Sequence, residues 1–389
     1  MTTRTQQTTL ALAFILLAGL TACQADQDPS KRKQGHASAS ASAEKARSFT
    51  LVASGDVLPH ASIIRQAGAD ARGAGYDFRP MLAGVKPVVS RADLAICHME
   101  TVYGANGDYT GYPSFKSPPE VAEALADAGY DGCSTASNHT LDAGAAGIQR
   151  TLDALDRAGV RHAGSARTAQ EAGGITMLRA PGGAQVAHLA YTYGTNGVPF
   201  PKDQPWAVNL IDSDRILADA RTARRQGADV VVASLHWGSE WQDAPDAQQI
   251  DLAQRLTAAR TAGRPDIDLI IGTHAHVPQA YEKVNGTWVV YGMGDQIAGA
   301  MVNHQGAQDS RGNESSIARF TFAPPARKGA RWEVKKAEYI PQWFDVGPGR
   351  VVNLNEAIAQ GADGAPVRDR IRQVVLSRGA AEGGLVMGQ

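Results

Sequence analysis

Imidazole, carboxylate and amide side chains follow several apolar, strand-like runs of this sequence. His274 and His276 stand two residues apart just after the run 267–271, and His236 follows the run 229–235. Side chains two residues apart in an extended segment point the same way, so both imidazoles can reach one site. The other candidate ligands at or shortly after such runs are Asp56, His60, Glu100 and Asn138, with His139 beside the last of them.

A cluster of this composition would bind divalent metal ions. Mixed imidazole and carboxylate ligands suit borderline first-row ions such as Zn, Mn or Fe(II). The candidates number more than four, which indicates two ions that share a bridging carboxylate. No cysteine belongs to the set, which argues against a thiolate structural zinc site. Each residue alone also has an ordinary explanation: Asp56 as a helix N-cap, Glu100 as a surface carboxylate and His139 as a core histidine after a turn.

The strand-like runs alternate with Ala-rich helical stretches. Almost wholly apolar strands that alternate with helices indicate a sheet covered on both faces, and such sheets gather ligands at the carboxyl ends of their strands. The sequence therefore predicts an α/β fold with its site at one sheet edge. Strands are predicted over residues 49–53, 92–97, 132–136, 160–163, 186–191, 229–235, 267–271 and 288–291. Helices are predicted over residues 120–128, 147–158, 213–226, 246–261, 352–358 and 366–378.

The amino-terminal residues are typical of an exported bacterial lipoprotein. The apolar run 10–20 is too short for a stable transmembrane helix but suits a signal peptide over residues 1–23, which ends in a lipobox-like Leu-Thr-Ala-Cys with Cys23 as the lipidated residue. Residues 24–47 lack aromatic and β-branched side chains and predict a flexible Ser/Ala-rich tether. We expect a lipid-anchored protein on the extracellular face of the cytoplasmic membrane. An ordinary signal peptide cut elsewhere is the alternative.

The rest of the chain is predicted to form one large domain over residues 48–344 and a C-terminal helical extension over residues 345–389. In an oxidising compartment, Cys97 and Cys133 could pair as a disulfide, because each lies just before a proposed site segment. Two small buried thiols are the alternative.

Charge and motif content argue against several other classes. The formal net charge of −1 gives no electrostatic reason to expect nucleic-acid binding. The sequence has no Gly-rich nucleotide loop, no Gly-x-Ser-x-Gly elbow and no zinc-finger spacing. Dehydrogenase, P-loop and serine-hydrolase readings therefore lack support.

Taken in order, the candidate segments resemble those of the calcineurin-like metallophosphoesterase superfamily, and more narrowly its CapA branch of poly-γ-glutamate capsule biosynthesis proteins. That branch has a Gly-Asp start, then Asn-Leu-Glu, Asn-Asn-His, His-Trp-Gly-x-Glu and Gly-x-His-x-His segments. The likeness runs from about residue 49 to residue 344. The matching residues here are Gly55-Asp56, His98-Met99-Glu100, Ser137-Asn138-His139, His236-Trp237-Gly238-Ser239-Glu240 and Gly272-Thr273-His274-Ala275-His276.

The resemblance implies a four-layer αββα sandwich with a mixed-sheet core and two divalent ions (Mn, Fe or Zn) at the strand ends. It implies that His139 faces the substrate, where it protonates a leaving group or stabilises transition-state charge. It places Trp237, Glu240 and His98 behind the ligands or on the substrate side. The implied ligands of one ion are Asp56, His60, Glu100 and His276, and Glu100 bridges to a second ion held with Asn138, His236 and His274.

Two positions depart from the family pattern. The superfamily begins Asp-x-His, whereas His60 stands four positions after Asp56. His98 replaces the Asn of the Asn-Leu-Glu segment, a change that either alters packing or puts another imidazole beside the metals.

The leading hypothesis is a surface metallohydrolase that acts on a phosphoester or on an amide of an anionic polymer. The resemblance implies poly-γ-glutamate or a similar polymer and a membrane synthase complex as partners. An alternative is a non-catalytic, metal-containing subunit that binds polymer for export, although retention of His139 favours an enzyme. The third reading is an unrelated α/β domain whose histidines fall at strand ends by chance.

Overall fold

The computed structural model describes residues 47–327 and 329–389. The predicted signal peptide with Cys23, and all but the last residue of the predicted tether, lie outside the described residues. Within the described ranges, no helix combines the length and the apolar character needed to cross a membrane.

Strands make up both central layers of the structure. In chain order they are β1 (Phe49–Val57), β2 (Leu94–Met99), β3 (Val102–Tyr103), β4 (Lys116–Ser117), β5 (Gly132–Ser134), β6 (Arg161–Ala163), β7 (Thr176–Arg179), β8 (Gln185–Thr192), β9 (Val230–His236), β10 (Arg260–Thr261), β11 (Arg264–Pro265), β12 (Leu269–Thr273), β13 (Tyr281–Val284), β14 (Thr287–Val290), β15 (Asp295–Ile297), β16 (Glu314–Ala323), β17 (Glu333–Asp345), β18 (Arg350–Asn353) and β19 (Leu385–Met387).

Helices cover the outer faces and close one end. They are α1 (Ala61–Asp70), α2 (Arg79–Leu82), α3 (Lys86–Val89), α4 (Glu120–Ala128), α5 (Gly144–Ala158), α6 (Ala169–Ala172), α7 (Ser213–Arg225), α8 (Ala247–Ala258), α9 (Leu354–Ala359) and α10 (Ala365–Val375), with a 3-10 turn at Ser310–Asn313.

The strands form two mixed sheets. In the first, the order is β18-β17-β16-β1-β2-β5-β6, with β15 added beside β1 and β19 beside β17. In the second, the order is β13-β14-β12-β9-β8-β7. The central neighbours β1, β2, β5 and β6 are parallel, as are β8, β9, β12 and β14, so their carboxyl ends share one edge of each sheet.

Alternation along the central strands divides the apolar side chains between two environments. In β9, Val230 and Val232 enter the core shared with β1 and β12, whereas Val231 and Ala233 pack against α7 and α8. In β1, Leu51 faces the shared core and Val52 faces the helices on the first sheet. The predicted α/β fold with four αββα layers is confirmed.

Several predicted elements differ from the observed ones. The antiparallel strands β16 and β17 were not predicted, because charged residues such as Arg319 and Glu338, which pair with each other across these strands, interrupt their apolar pattern. The helix predicted over 246–261 ends at Ala258, because the residues that follow form the β10–β11 pair. Its start is fixed by the Asp246–Gln249 capping box.

The segment predicted as a helical extension also contributes strands. Helices α9 and α10 are present, but β18 and β19 both pair with β17 in the first sheet. Leu354, Ile371 and Val375 belong to the core between the sheets. Removing this segment would therefore expose part of that core.

Cys97 and Cys133 are joined by a disulfide bond in the structure. They are register partners on the adjacent parallel strands β2 and β5. The bond lies on the face of the first sheet that packs against the helices, because both residues belong to that core.

Candidate metal centre

Strand register brings the candidate ligands side by side at the carboxyl edge of both sheets. Asp56 of β1 pairs with His98 of β2 and with Asp295 of β15. In the second sheet, His236 at the end of β9 pairs with Thr273, the residue before His274. The edge predicted from the sequence is therefore where these side chains meet.

The ligand atoms form three overlapping groups. Within each group all atoms lie within 4.8 Å of one another, and the groups are Asp56, Glu100, His276 and Asp295; Asp56, His98 and His236; and Glu240, His274 and His276. The structure thus brings together all the predicted ligands of these residue types except His60. Asn138 joins them through its side-chain oxygen, which lies 3.0 Å from Nε2 of His236.

Many polar atoms of this cluster are buried without a hydrogen-bond partner. Buried polar atoms are almost always paired in proteins, because an unpaired one costs free energy. Here the unpaired atoms are Asp56 Oδ1, His98 Nε2, both Glu100 oxygens, His274 Nδ1 and Asp295 Oδ2. Such a concentration of oxygen and imidazole lone pairs fits divalent cations, which would satisfy all of them at once.

The carboxylates repel one another in the absence of a cation. Burial, followed by the charge of Asp295, raises the pKa of Asp56 to about 8. Burial and the charge of Asp56 raise the pKa of Glu100 well above its usual value. For His276 burial opposes protonation, but Asp295 and Glu100 outweigh it and raise its pKa well above the ordinary value.

The other imidazoles favour the neutral form that binds metals. Burial lowers the pKa of His98 to about 3, and burial together with neighbouring histidines lowers the pKa values of His236 and His274 well below the usual value. His236 lies between His98, on which it stacks, and His274, whose ring is tilted, with ring centroids 4.8 Å and 4.7 Å away.

The segment carrying His274 and His276 is not extended, contrary to the sequence-based argument. β12 ends at Thr273, and the φ angles of His274 and His276 are 93° and 57°. Non-glycine residues seldom adopt this left-handed conformation, and such residues cluster at functional sites. The turn still places the two rings 6.0 Å apart.

Gly272 permits this close packing. A Cβ there would overlap the carbonyl oxygen of Tyr291 and the indole nitrogen of Trp237. That nitrogen donates a hydrogen bond to the Tyr291 oxygen at 2.9 Å. Trp237 is therefore buried behind the centre, where it supports the strand that leads to His274.

His139 lies beside the ligands and is held by a carboxylate. Its Nδ1 is 2.7 Å from Oδ2 of Asp142, which also accepts the backbone N–H of Phe115 at 2.6 Å. The ring of Phe115 packs edge-on against the imidazole. Since Nδ1 is engaged, Nε2 is the nitrogen available to a substrate.

His60 belongs to none of the three ligand groups. Its Nδ1 lies 3.1 Å from the carbonyl oxygen of Leu58 and 3.2 Å from the amide nitrogen of Gly299. Burial lowers the pKa of His60 to about 4, so the ring is neutral. It forms part of the wall of the cleft next to the centre.

Asp295 and Asp142 were not among the predicted site residues. Asp295 Oδ1 lies 2.9 Å from Nδ1 of His276. Asp295 belongs to the group with Asp56, Glu100 and His276, where the resemblance had implied His60. The available signal was its place after the run 288–291, in Gly-Met-Gly-Asp. For Asp142 the signal was its spacing three residues after His139.

A family model described as Bacterial capsule synthesis protein PGA_cap matches residues 50–300. Capsule biosynthesis protein CapA of Bacillus anthracis is 28% identical over 182 residues, which cover 46% of this chain and 42% of that protein. A probable polyglutamine synthesis accessory protein of Mycobacterium tuberculosis is 26% identical over 217 residues, which cover 53% of this chain and 55% of that protein. The chain spans about half the length of these relatives.

Solved structures with a similar architecture include a putative 5'-nucleotidase from Staphylococcus aureus, with a TM-score of 0.47 and 12% identity over 84% of this chain and 58% of that chain. A calcineurin-like phosphoesterase from Bacillus subtilis has a TM-score of 0.42 and 16% identity over 84% of this chain and 99% of that chain.

Proposed function

From the premise that the chain belongs to the bacterial capsule synthesis protein family PGA_cap, we propose that it is a metal-dependent hydrolase with a dinuclear centre. Its substrate is a phosphoester or an amide of an anionic polymer. The observation that carries the proposal is the set of unpaired buried oxygen and nitrogen atoms beside His139. A polymer-binding subunit would not require an imidazole held by a carboxylate at the mouth of the centre.

The proposed ligands divide into two sets around Glu100. Asp56, His276 and Asp295 would hold one ion together with Glu100, and Asn138, His236 and His274 would hold the other. Glu240 is within reach of the second set, because its carboxylate forms a group with His274 and His276. In this assignment Asp295 takes the place given to His60 by the family resemblance. His98 Nε2 lies 3.5 Å from Asp56 Oδ1, close enough for His98 either to bind an ion itself or to orient the Asp56 carboxylate.

Bound divalent ions would supply Lewis-acid polarisation of the scissile group. His139 delivers a proton to the leaving group from Nε2, and Asp142 fixes the ring through Nδ1. Burial of the ligands keeps bulk water away from the reacting atoms, which strengthens each electrostatic interaction there.

Metal content of the purified full-length protein tests the centre. Elemental analysis after supply of Mn, Zn or Fe(II) should give about two ions per chain for the wild type, and the double variant His274→Ala/His276→Ala should lose them, because each set of ligands loses an imidazole. His162→Ala, an imidazole change outside the centre, should retain them. A folded wild type that takes up no metal would contradict the dinuclear centre and the hydrolase proposed from it.

The relatives' names support a role in polymer synthesis. One is named for capsule biosynthesis and another for polyglutamine synthesis. We extend this to poly-γ-glutamate or another anionic polymer, and to a membrane synthase complex, as partners of this chain. Release of defined fragments from poly-γ-glutamate by the metal-loaded protein would support the amide substrate, and an intact polymer would exclude it.

A lipid on Cys23 would hold the domain on the extracellular face of the cytoplasmic membrane. After cell fractionation, the wild type should appear with the membranes, and Cys23→Ser should lose lipid labelling and leave that fraction. Ser40→Ala in the tether serves as the control. Unchanged labelling of Cys23→Ser would contradict the anchor.

A further inference from the structure

A cleft of about 470 Å³ opens beside the proposed metal centre. His139 and His276 line it together with large apolar side chains that have no ligand role. Those apolar side chains are Leu58, Tyr112, Phe115, Trp241, Met301 and Val302. A cleft of this volume is within the range of small-molecule sites, and its contact with His139 places any occupant next to the reacting atoms.

Several of these side chains are exposed to water without a partner. Tyr112 is 78% exposed and Val302 is 55% exposed in the cleft, and Tyr193, on the other side of the centre, is 42% exposed. These are three of the five large apolar side chains that are exposed in the described ranges. The ring of Tyr193 lies 4.5 Å from that of His274. Exposed apolar groups gathered around one site are typical of ligand contact.

Apolar groups, imidazoles and one carboxylate line the cleft. None of its fourteen lining residues is Lys or Arg. Glu240 contributes a carboxylate, which lies 3.7 Å from His304. The cleft therefore offers mainly apolar surface, with no row of ammonium or guanidinium groups, to the part of an occupant that lies outside the metal centre.

Trp241 is held in place by strong local constraints. Its φ angle is 68°, which is rare for a bulky residue, and its backbone N–H donates to the carbonyl oxygen of Ala275 at 2.8 Å. The indole packs against the buried cluster that contains Leu58 and Met301. The ring lies 6.4 Å from that of His276, so it borders both the cleft and the metal-binding segment.

We propose that this cleft binds an uncharged aromatic ring carried by the substrate, while the scissile phosphoryl group lies at the metal centre. The proposal rests on the proposed function and narrows its substrate to phosphoesters of ring-bearing alcohols. Trp241 and Tyr112 supply the flat apolar surfaces, and Val302 covers the ring from the loop that follows β15. Ring stacking on Trp and Tyr gives selectivity without added charge.

Matched phosphonates test the cleft without turnover. Phenylphosphonate and methylphosphonate share a non-hydrolysable head group and differ only in the ring. Calorimetry with the Mn-loaded full-length protein should show at least tenfold tighter binding of phenylphosphonate. Trp241→Ala should reduce this preference about tenfold, and Trp241→Phe should keep most of it, because burial of a ring accounts for the difference.

The exposed Val302 gives a second variant if Trp241→Ala does not fold. Val302→Ser should also weaken phenylphosphonate more than methylphosphonate. The proposal would be overturned if the wild type bound phenylphosphonate and methylphosphonate equally well. It would also be overturned if the preference for phenylphosphonate were unchanged in both Trp241→Ala and Val302→Ser. A ring preference together with no hydrolysis of phenyl phosphate would support ring binding in the cleft and contradict phosphoester hydrolysis, so failure of the cleft proposal and failure of the phosphoesterase proposal give different results.

Discussion

Replacing His139 with alanine is expected to lower kcat by about 10²–10⁴-fold on a substrate that the wild type turns over, because the general acid is lost. Metal content should not change, since neither nitrogen of His139 belongs to a ligand group. KM should change far less than kcat, because the proton is transferred mainly in the transition state. Steady-state kinetics and elemental analysis of the same preparations measure both effects.

A variant of Asp142 tests how much its hydrogen bond to His139 contributes, and a variant of a remote histidine is the control. Asp142→Asn should give a smaller loss of kcat, because the imidazole remains but its hydrogen bond at Nδ1 is altered. His162→Ala removes an imidazole remote from the centre and should leave turnover intact. If His139→Ala turned over a verified substrate as fast as the wild type, the general-acid role would be wrong.

Metal removal is expected to make the folded protein lose stability as pH rises from 6.5 to 8. The pKa of Asp56 rises from 3.8 in the unfolded chain to about 8 in the metal-free fold, so the fold binds a proton that the unfolded chain has released. At about 1.4 kcal/mol per pH unit and proton, the loss is about 2 kcal/mol over this interval. The raised pKa of Glu100 acts in the same direction.

The histidines do not reverse this trend in the chosen interval. His276 has a raised pKa, so its contribution to stability is full below pH 6.5 and is also lost as pH rises. Six histidines have lowered pKa values, and each opposes the fall by only about 0.4 kcal/mol between pH 6.5 and 8, because the unfolded imidazole is half protonated at pH 6.5. They are His60, His98, His162, His188, His236 and His274, and the combined losses from Asp56, Glu100 and His276 outweigh them. Both kinds of histidine therefore leave the predicted fall between pH 6.5 and 8 in place.

Denaturant unfolding of chelator-treated protein at pH 6.5 and 8 measures this change. Metal at about 1,000 times its Kd should add about 4 kcal/mol and remove the fall, because it stabilises the ionised carboxylates. Asp295→Asn should flatten the metal-free profile, since the charge of Asp295 helps to raise the pKa of Asp56. Asp251→Asn, on the exposed face of α8, is the control. A metal-free protein more stable at pH 8 would refute the argument.

Apolar runs were sufficient to predict the α/β fold, because the parallel strands are buried on both faces. The apolar runs also predicted which edge of the sheets carries the candidate site, since the polar side chains that follow those runs meet at that edge. The pair β16–β17 was missed because strands with charged residues on one face lack a continuous apolar run. Its pairing is long-range within the sheet and depends on tertiary packing rather than on local pattern.

Membership of the candidate ligand cluster was predictable where motif spacing and strand ends coincided, as for Asp56 and His236. It was not predictable for Asp295, which becomes a neighbour of Asp56 only because β15 inserts beside β1. His60 shows the reverse case. The family resemblance implied a ligand role for His60 despite its four-residue spacing from Asp56, and in the structure its Nδ1 lies against the backbone at Leu58 and Gly299.

The insertion of β15 beside β1 has a consequence for biosynthesis. Asp56 and Asp295 come from opposite ends of the segment that carries the centre, and Asp295 is the last of its carboxylates to be synthesised. A chain that stops short of β15 would have the histidines but not the fourth member of the Asp56 group. A product truncated before Asp295 therefore could not assemble the full set of proposed ligands.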